Sequence, residues 1–193
     1  MKKLLLILLC FPMIGFGQTN VPDSAFEAFL EINGYGNGIA NDSIVSTVMI
    51  SYATILNVSN YSISNLKGIE DFVILESLDC SNNQLTNLNV SQNLTLTILN
   101  CSSNQLTSLD VRNGNNMNMP YFYTTNNPNL TCINVDDVAY STTSWTDIDP
   151  QHYFSNNCSG TAIQEYTTNK EILKVADLLG RETKQTNQPL FYI

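Results

Sequence analysis

The sequence predicts a β-rich solenoid of about four stacked coils, each of 21 residues or slightly more, with a helical cap before them and a second cap after them. Two observations lead there. First, Leu78-Asp79-Cys80-Ser81-Asn82-Asn83-Gln84-Leu85-Thr86-Asn87-Leu88-Asn89-Val90 returns 21 residues later as Leu99-Asn100-Cys101-Ser102-Ser103-Asn104-Gln105-Leu106-Thr107-Ser108-Leu109-Asp110-Val111. Apolar residues, cysteine and asparagine return at one phase, which is how stacked supersecondary units show themselves in a sequence. Second, weaker copies flank this pair. Leu56-Asn57-Val58, Ile63 and Leu66 come 22 residues earlier, and Phe122, Asn127, Leu130, Ile133 and Val135 follow in the same order. A repeat cannot bury its apolar edge alone, so several must stack and the end copies are atypical.

Each coil is built from a short strand. Leu78 and Cys80, like Leu99 and Cys101, alternate with period two and share one face. Coils stacked in register make these strands neighbours in a parallel sheet, about 4.8 Å apart. Leu85, Leu88 and Val90 then fill the coil interior beneath Leu106, Leu109 and Val111. Asn83 and Asn104, and Asn127 after them, sit where the chain leaves the strand and turns. A turning backbone inside a solenoid has donors and acceptors that no sheet satisfies, and an amide side chain can pair with both kinds. These three are therefore expected to form an internal amide ladder, in competition with the simpler reading of exposed turn asparagines. Cys80 and Cys101 occupy equivalent inward positions and are expected as small buried hydrophobes.

The spacing Leu-x-Cys-x-x-Asn-x-Leu-x-x-Leu-x-Val resembles the bacterial leucine-rich repeat. Residues 55–135 carry the resemblance. Asn129-Leu-Thr-Cys132-Ile-Asn-Val-Asp-Asp137, followed by Tyr140, Trp145, Ile148-Asp149, Tyr153-Phe154 and Cys158, resembles the segment that closes such repeats in exported flavobacterial-type proteins. Cys132 and Cys158 are the two cysteines outside both the apolar N-terminus and the coils, so in an exported protein they are expected to pair. With Trp145 beneath it, this segment would seal the core over residues 136–160.

Before the coils, residues 18–54 form the other cap. Asp23-Ser24-Ala25-Phe26-Glu27 resembles a helix start with Ser24 and Glu27 at capping-box spacing. Phe26, Phe29 and Leu30 share a face, and Gly34 and Gly36 stop the helix. The glycine-rich stretch 33–42 lacks the acidic twelfth residue of a calcium loop and offers mostly Asn where Asp is wanted.

Residues 1–17 have the pattern of an export signal: Met1-Lys2-Lys3, an apolar run from Leu4 to Phe16, and the small-x-small site Gly15-Phe16-Gly17. The run is too short to span a bilayer, and no other segment is long and apolar enough to do so. From Thr161 the composition changes. Leu178-Leu179-Gly180-Arg181 and Leu190-Phe191-Tyr192-Ile193 resemble the C-terminal sorting tail of type IX secretion cargo, over residues 161–193. Such tails continue with a further acidic turn and a basic-apolar strand, so this one is expected to be truncated or divergent. The resemblance implies an extracellular or outer-membrane surface location, reached through the periplasm.

Charge narrows the partners. The formal net charge is −9, and between Gln18 and Gly160 only Lys67 and Arg112 are basic against thirteen Asp and Glu. Nucleic acid requires a positive footprint, which is missing here. Catalysis lacks support as well. His152 is the sole histidine, the thiols are expected buried or paired, and no phosphate-binding glycine loop occurs. No cofactor or metal is expected. The predicted function is a secreted or cell-surface binding module, monomeric, for a protein or glycan ligand in the manner of an adhesin or adaptor. Its surface would be the outward strand residues Asn57, Ser77, Asp79, Asn100, Tyr121 and Tyr123, with Ile55 and Ile98 among them. The alternatives are a structural surface protein without a specific ligand and a polysaccharide-active parallel β-helix enzyme. The second would need clustered basic residues that this body does not offer.

Overall fold

The computed structural model describes residues 17–158. The export signal, apart from Gly17, and the sorting-type tail lie outside the described residues.

Strand β1 (Gln18–Asn20) pairs antiparallel with β2 (Ile44–Ser46), and between them lies helix α1 (Ser24–Ile32). Phe26, Phe29 and Leu30 of α1 face the core, as the 3.6-residue period requires. The helix starts differently from the expectation. Asp23, not Ser24, is the cap: its Oδ1 accepts from the backbone N–H groups of Ala25 and Phe26, each at 3.0 Å. Glu27 does not reach back to close a capping box. It is buried, and its Oε1 accepts from Asp42 N–H at 2.9 Å. Asp23 has two oxygens to offer, and the second binds Ser64 N–H, Ser64 Oγ and Asn65 N–H of the first coil. Phe26 against Phe72 and Phe29 against Tyr61 complete the join between cap and coil. At Gly68, whose φ is +102°, a Cβ would meet the Val21 side chain at 2.9 Å, so glycine there lets the cap press onto the coil. A one-turn helix, α2 (Thr47–Ile50), leads into the repeats.

The repeats form two parallel sheets that share one interior. The first sheet is β3 (Ile55–Asn57), β4 (Ser77–Asp79), β6 (Ile98–Asn100) and β8 (Tyr121–Tyr123), with Leu56, Leu78, Leu99 and Phe122 in register and inward. The second sheet was not expected as a sheet. It runs β5 (Asn87–Asn89), β7 (Ser108–Asp110), β9 (Cys132–Asn134), β10 (Tyr153–Ser155), and Leu88, Leu109, Ile133 and Phe154 stack within it. The fold is a β-rich leucine-rich-repeat solenoid with two strands per central coil.

Cys132 opens β9, inside the fourth coil, and is disulfide-bonded to Cys158, which follows β10. Helix α3 (Val138–Ser144) lies between them, capped by Asp137. It delivers Trp145, 2% exposed, onto Phe122 with ring centroids 4.1 Å apart, and the indole N–H donates to Met119 C=O at 2.7 Å. The largest aromatic thus covers the end of the core.

Candidate functional site

The outward face of the first sheet carries two rows, because side chains alternate along each strand and the strands are in register. Ile55, Ser77, Ile98 and Tyr121 make one row, and Asn57, Asp79, Asn100 and Tyr123 the other. All six residues expected to form a ligand surface therefore lie on this face. Tyr121 is well exposed, whereas Tyr123 is half-buried and bridges to Asp147 of the C-terminal cap.

The polar row has a task of its own. Each Asx residue ends its strand and accepts from the residue two positions on: Asn57 from Ser59 N–H at 3.1 Å, Asp79 from Ser81 N–H at 3.0 Å, Asn100 from Ser102 N–H at 3.2 Å. Ser59 and Ser81 add their hydroxyls at 2.8 and 2.7 Å. These are Asx turns, in which the side chain holds the chain as it leaves the sheet. The second sheet repeats the device with Asn89 to Ser91 and Asp110 to Arg112. One acceptor oxygen of each polar-row Asx residue is therefore committed within its own coil.

Behind this face lie the three ladder asparagines, all buried. Asn83 accepts from Tyr61 and Ile63 N–H and donates to Val58 and Cys80 C=O. Asn104 accepts from Leu85 N–H and donates to Cys80 and Cys101 C=O, and Asn127 does the same with Leu106, Cys101 and Thr124. Each amide thus binds its own coil and the preceding one. Asp149 continues the series 22 residues after Asn127, accepting from Asn126 and Asn127 N–H at 2.9 and 2.7 Å. A second amide set on the opposite turn escaped the sequence reading. Asn93 donates to Ile69 and Phe72 C=O, and Asn116 donates to Val111 C=O and accepts from Asp136 N–H. Its signal was present: Asn93 and Asn116 are 23 residues apart, the same step as Asn104 to Asn127.

Cys80 and Cys101 are free and fully buried. Burial pushes the Cys101 thiol up to about 12 and raises Cys80 well above the ordinary 9.0, with Cys101 and Asp79 adding to the effect. Neither is a thiolate nucleophile. His152 is buried in the C-terminal cap, where its Nδ1 accepts from Asp149 N–H at 3.2 Å and lies 3.0 Å from Thr124 Oγ1.

A cleft of about 390 Å³ opens beside the second sheet, where the first coil has no strand to pair with β5. Lys67 and Glu70 line it, with Asn65, Asn87, Asn89 and Gln92. Glu70 Oε2 already accepts from Gly68 N–H at 2.8 Å. Among the described residues no three His, Cys, Asp or Glu side chains gather as metal ligands, and no helix is long and apolar enough to cross a membrane.

No protein-family model and no curated protein matches the chain. Solved structures to which it is similar include the functional domain of InlJ from Listeria monocytogenes, which includes a cysteine ladder. That match has 26% identity and a TM-score of 0.44, over 74% of this chain and 29% of that one. Another is the internalin InlF from Listeria monocytogenes, at 18% identity and a TM-score of 0.45, over 74% of this chain and 42% of that one. The chain thus spans less than half the length of either internalin.

Proposed function

We propose that the chain is an exported, non-catalytic binding module, displayed at the cell surface or released, whose ligand is a protein or a glycan. Residues 1–17 would be its export signal and 161–193 a type IX sorting tail, with 18–54 and 136–160 capping the repeats of 55–135. The observation that carries the reading is the pair of in-register rows on β3, β4, β6 and β8, a continuous outward surface on a framework held by buried amides. A repeat scaffold makes such a surface rigid, which lowers the entropy that binding must overcome. The cleft lined by Lys67 and Glu70 offers a single base, which is poor equipment for a polysaccharide lyase. The commitment of Asn57, Asp79 and Asn100 to Asx turns favours, as the second reading, a structural surface protein with no specific ligand.

A glycan and protein array probed with the full chain separates the two. The binding reading expects a discrete ligand class whose signal falls when Tyr121 and Tyr123 are changed to Ala. An array with no signal above a denatured control would leave the structural reading.

A further inference from the structure

The coils stay in register through the turn that precedes the first sheet. Thr95 Oγ1 donates to Leu75 C=O at 2.8 Å, Thr97 N–H to Glu76 C=O at 2.8 Å, and Asn115 Nδ2 to Leu96 C=O at 3.0 Å. Leu75, Leu96 and Met119 are the buried residues of this turn. Two positions before each of them stands a large apolar side chain that faces water: Val73, Leu94 and Met117, 54%, 62% and 67% exposed. The equivalence runs through consecutive coils at the steps 21 and 23, which are also the steps of the ladder asparagines Asn83, Asn104 and Asn127. Single exposed apolar residues are ordinary on a protein surface, but a row repeated coil after coil is a contiguous patch, and such patches mark contacts. Tyr52 and Ile74 extend it on the first two coils.

We propose that this flank, the ridge Val73–Leu94–Met117, docks a protein partner that presents aliphatic or aromatic side chains bordered by Lys or Arg. The inference rests on the binding-module reading and narrows its ligand. The ridge Val73–Leu94–Met117 is aliphatic, with Tyr52 the one aromatic residue named beside it, whereas a sugar ring needs flat aromatic faces to stack on, so a glycan is the poorer fit. The charge of the partner follows from the field. Glu76 is exposed between this ridge and the sheet face, and Asp71 lies two residues before Val73. Of the body's two cations, Lys67 lines the cleft beside the second sheet, and Arg112 follows β7 in an ion pair with Asp110 at 2.6 Å. A second copy of the chain would bring thirteen acids against two bases toward its equal, so self-association through the ridge is opposed by like charge.

The test compares the full chain with V73S/L94S/M117S on an array of short random peptides and on an array of glycans. These three side chains are exposed, so the variant keeps its charge and its melting temperature. The peptides retained by the unaltered chain are expected to be rich in Leu, Ile, Phe, Lys and Arg and poor in Asp and Glu. Affinity for them should fall at least about tenfold in the triple variant and hold in Q84A, an exposed position away from the ridge and the strand rows. Undiminished peptide or glycan binding by the triple variant overturns the ridge and leaves the binding module standing. No binding by the unaltered chain overturns both. A dimer that sedimentation finds in the unaltered chain and not in the variant overturns the proposed partner, since the occupant is then a second copy.

Discussion

Asn104 Nδ2 lies 3.0 Å from the carbonyl oxygen of Cys80, one coil below it, and 3.0 Å from that of Cys101 in its own coil. Its Oδ1 accepts Leu85 N–H, also from the coil below, at 3.0 Å. One side chain therefore satisfies three backbone groups that the sheets leave over, and it fixes the coil-to-coil spacing at the turn. In a buried setting an amide so engaged is far harder to remove than to replace with water at the surface.

The first prediction follows from this. Asn104→Ala and Asn83→Ala are each expected to destabilise by about 1–3 kcal/mol, because the first strips buried Leu85 N–H of its acceptor and the second Ile63 N–H, while the Cys80 carbonyl they share keeps one donor. Gln84→Ala, one residue along and exposed, should be nearly neutral. Urea melts of the three variants decide the matter, and equal losses at Asn83 and Gln84 would remove the ladder as a source of stability.

The coil phase was legible because Leu78 and Leu99, and everything inward between Cys80 and Val111, return at one step. The ladder was legible for the same reason. The second sheet carried the same signal and was missed: Leu88 and Val90 alternate as Leu78 and Cys80 do, in strands of the same three-residue length, but were expected only to fill the coil interior. The start of α1 was misplaced by one residue, since Asp23 and Ser24 are both good caps and only the contact with Ser64 and Asn65 favours Asp23. At the outward surface the sequence distinguished in from out but not free from engaged. Asn57, Asp79 and Asn100 look like ligand groups until the serines two residues after them are seen to supply their hydrogen bonds.

The buried thiols make a second prediction. With burial holding Cys101 up to about 12 and Cys80 well above 9.0, both stay protonated and shielded in mildly alkaline solution. Iodoacetamide should leave the Cys80 and Cys101 peptides unmodified in the folded protein. In a urea series their labelling should rise together, at the midpoint of global unfolding read by circular dichroism. Labelling well before that midpoint would mean that the coil interior opens locally, contrary to a core in which both side chains are fully buried.

The third prediction concerns acid. Burial alone would raise the Asp23 pKa, but hydrogen bonds from the Ser64 hydroxyl and from the N–H groups of Phe26, Ser64 and Asn65 outweigh it, and the carboxyl titrates below 3.8. A folded-state pKa below the unfolded one contributes stability that is present above about 3.8 and lost as pH falls through the folded value. Asp23→Ala should cost about 1–2 kcal/mol at neutral pH, as for a lost helix cap. Below pH 3.8 the gap between variant and unaltered chain should narrow. Chemical melts on both sides of that pH measure it, and a gap that stays constant would mean that the charge of Asp23 is irrelevant to its role.

The last prediction comes from the backbone just ahead of the ladder. Asn82, Ser103 and Asn126 occupy equivalent positions and have φ of 54°, 56° and 60°, in the left-handed region. Asparagine visits this region more readily than other residues with a Cβ, because its short amide can bond locally. Asn60, with φ of 65°, holds the same place in the first coil, so three of the four coils use asparagine and Ser103 is the exception. Its side chain is only a weak partner, 3.4 Å from Asn126 Nδ2, so little is lost on replacing it. Ser103→Asn should therefore stabilise the protein by a few tenths to about 1 kcal/mol by relieving left-handed strain. Ser103→Val, with branching at Cβ where φ is positive, should destabilise by more than about 1 kcal/mol. The pair is read against Ser102→Asn, a neighbour outside the left-handed set, which should show no gain. If Ser103→Asn and Ser102→Asn moved the urea midpoint alike, the asparagines at this turn would owe their place to something other than backbone conformation.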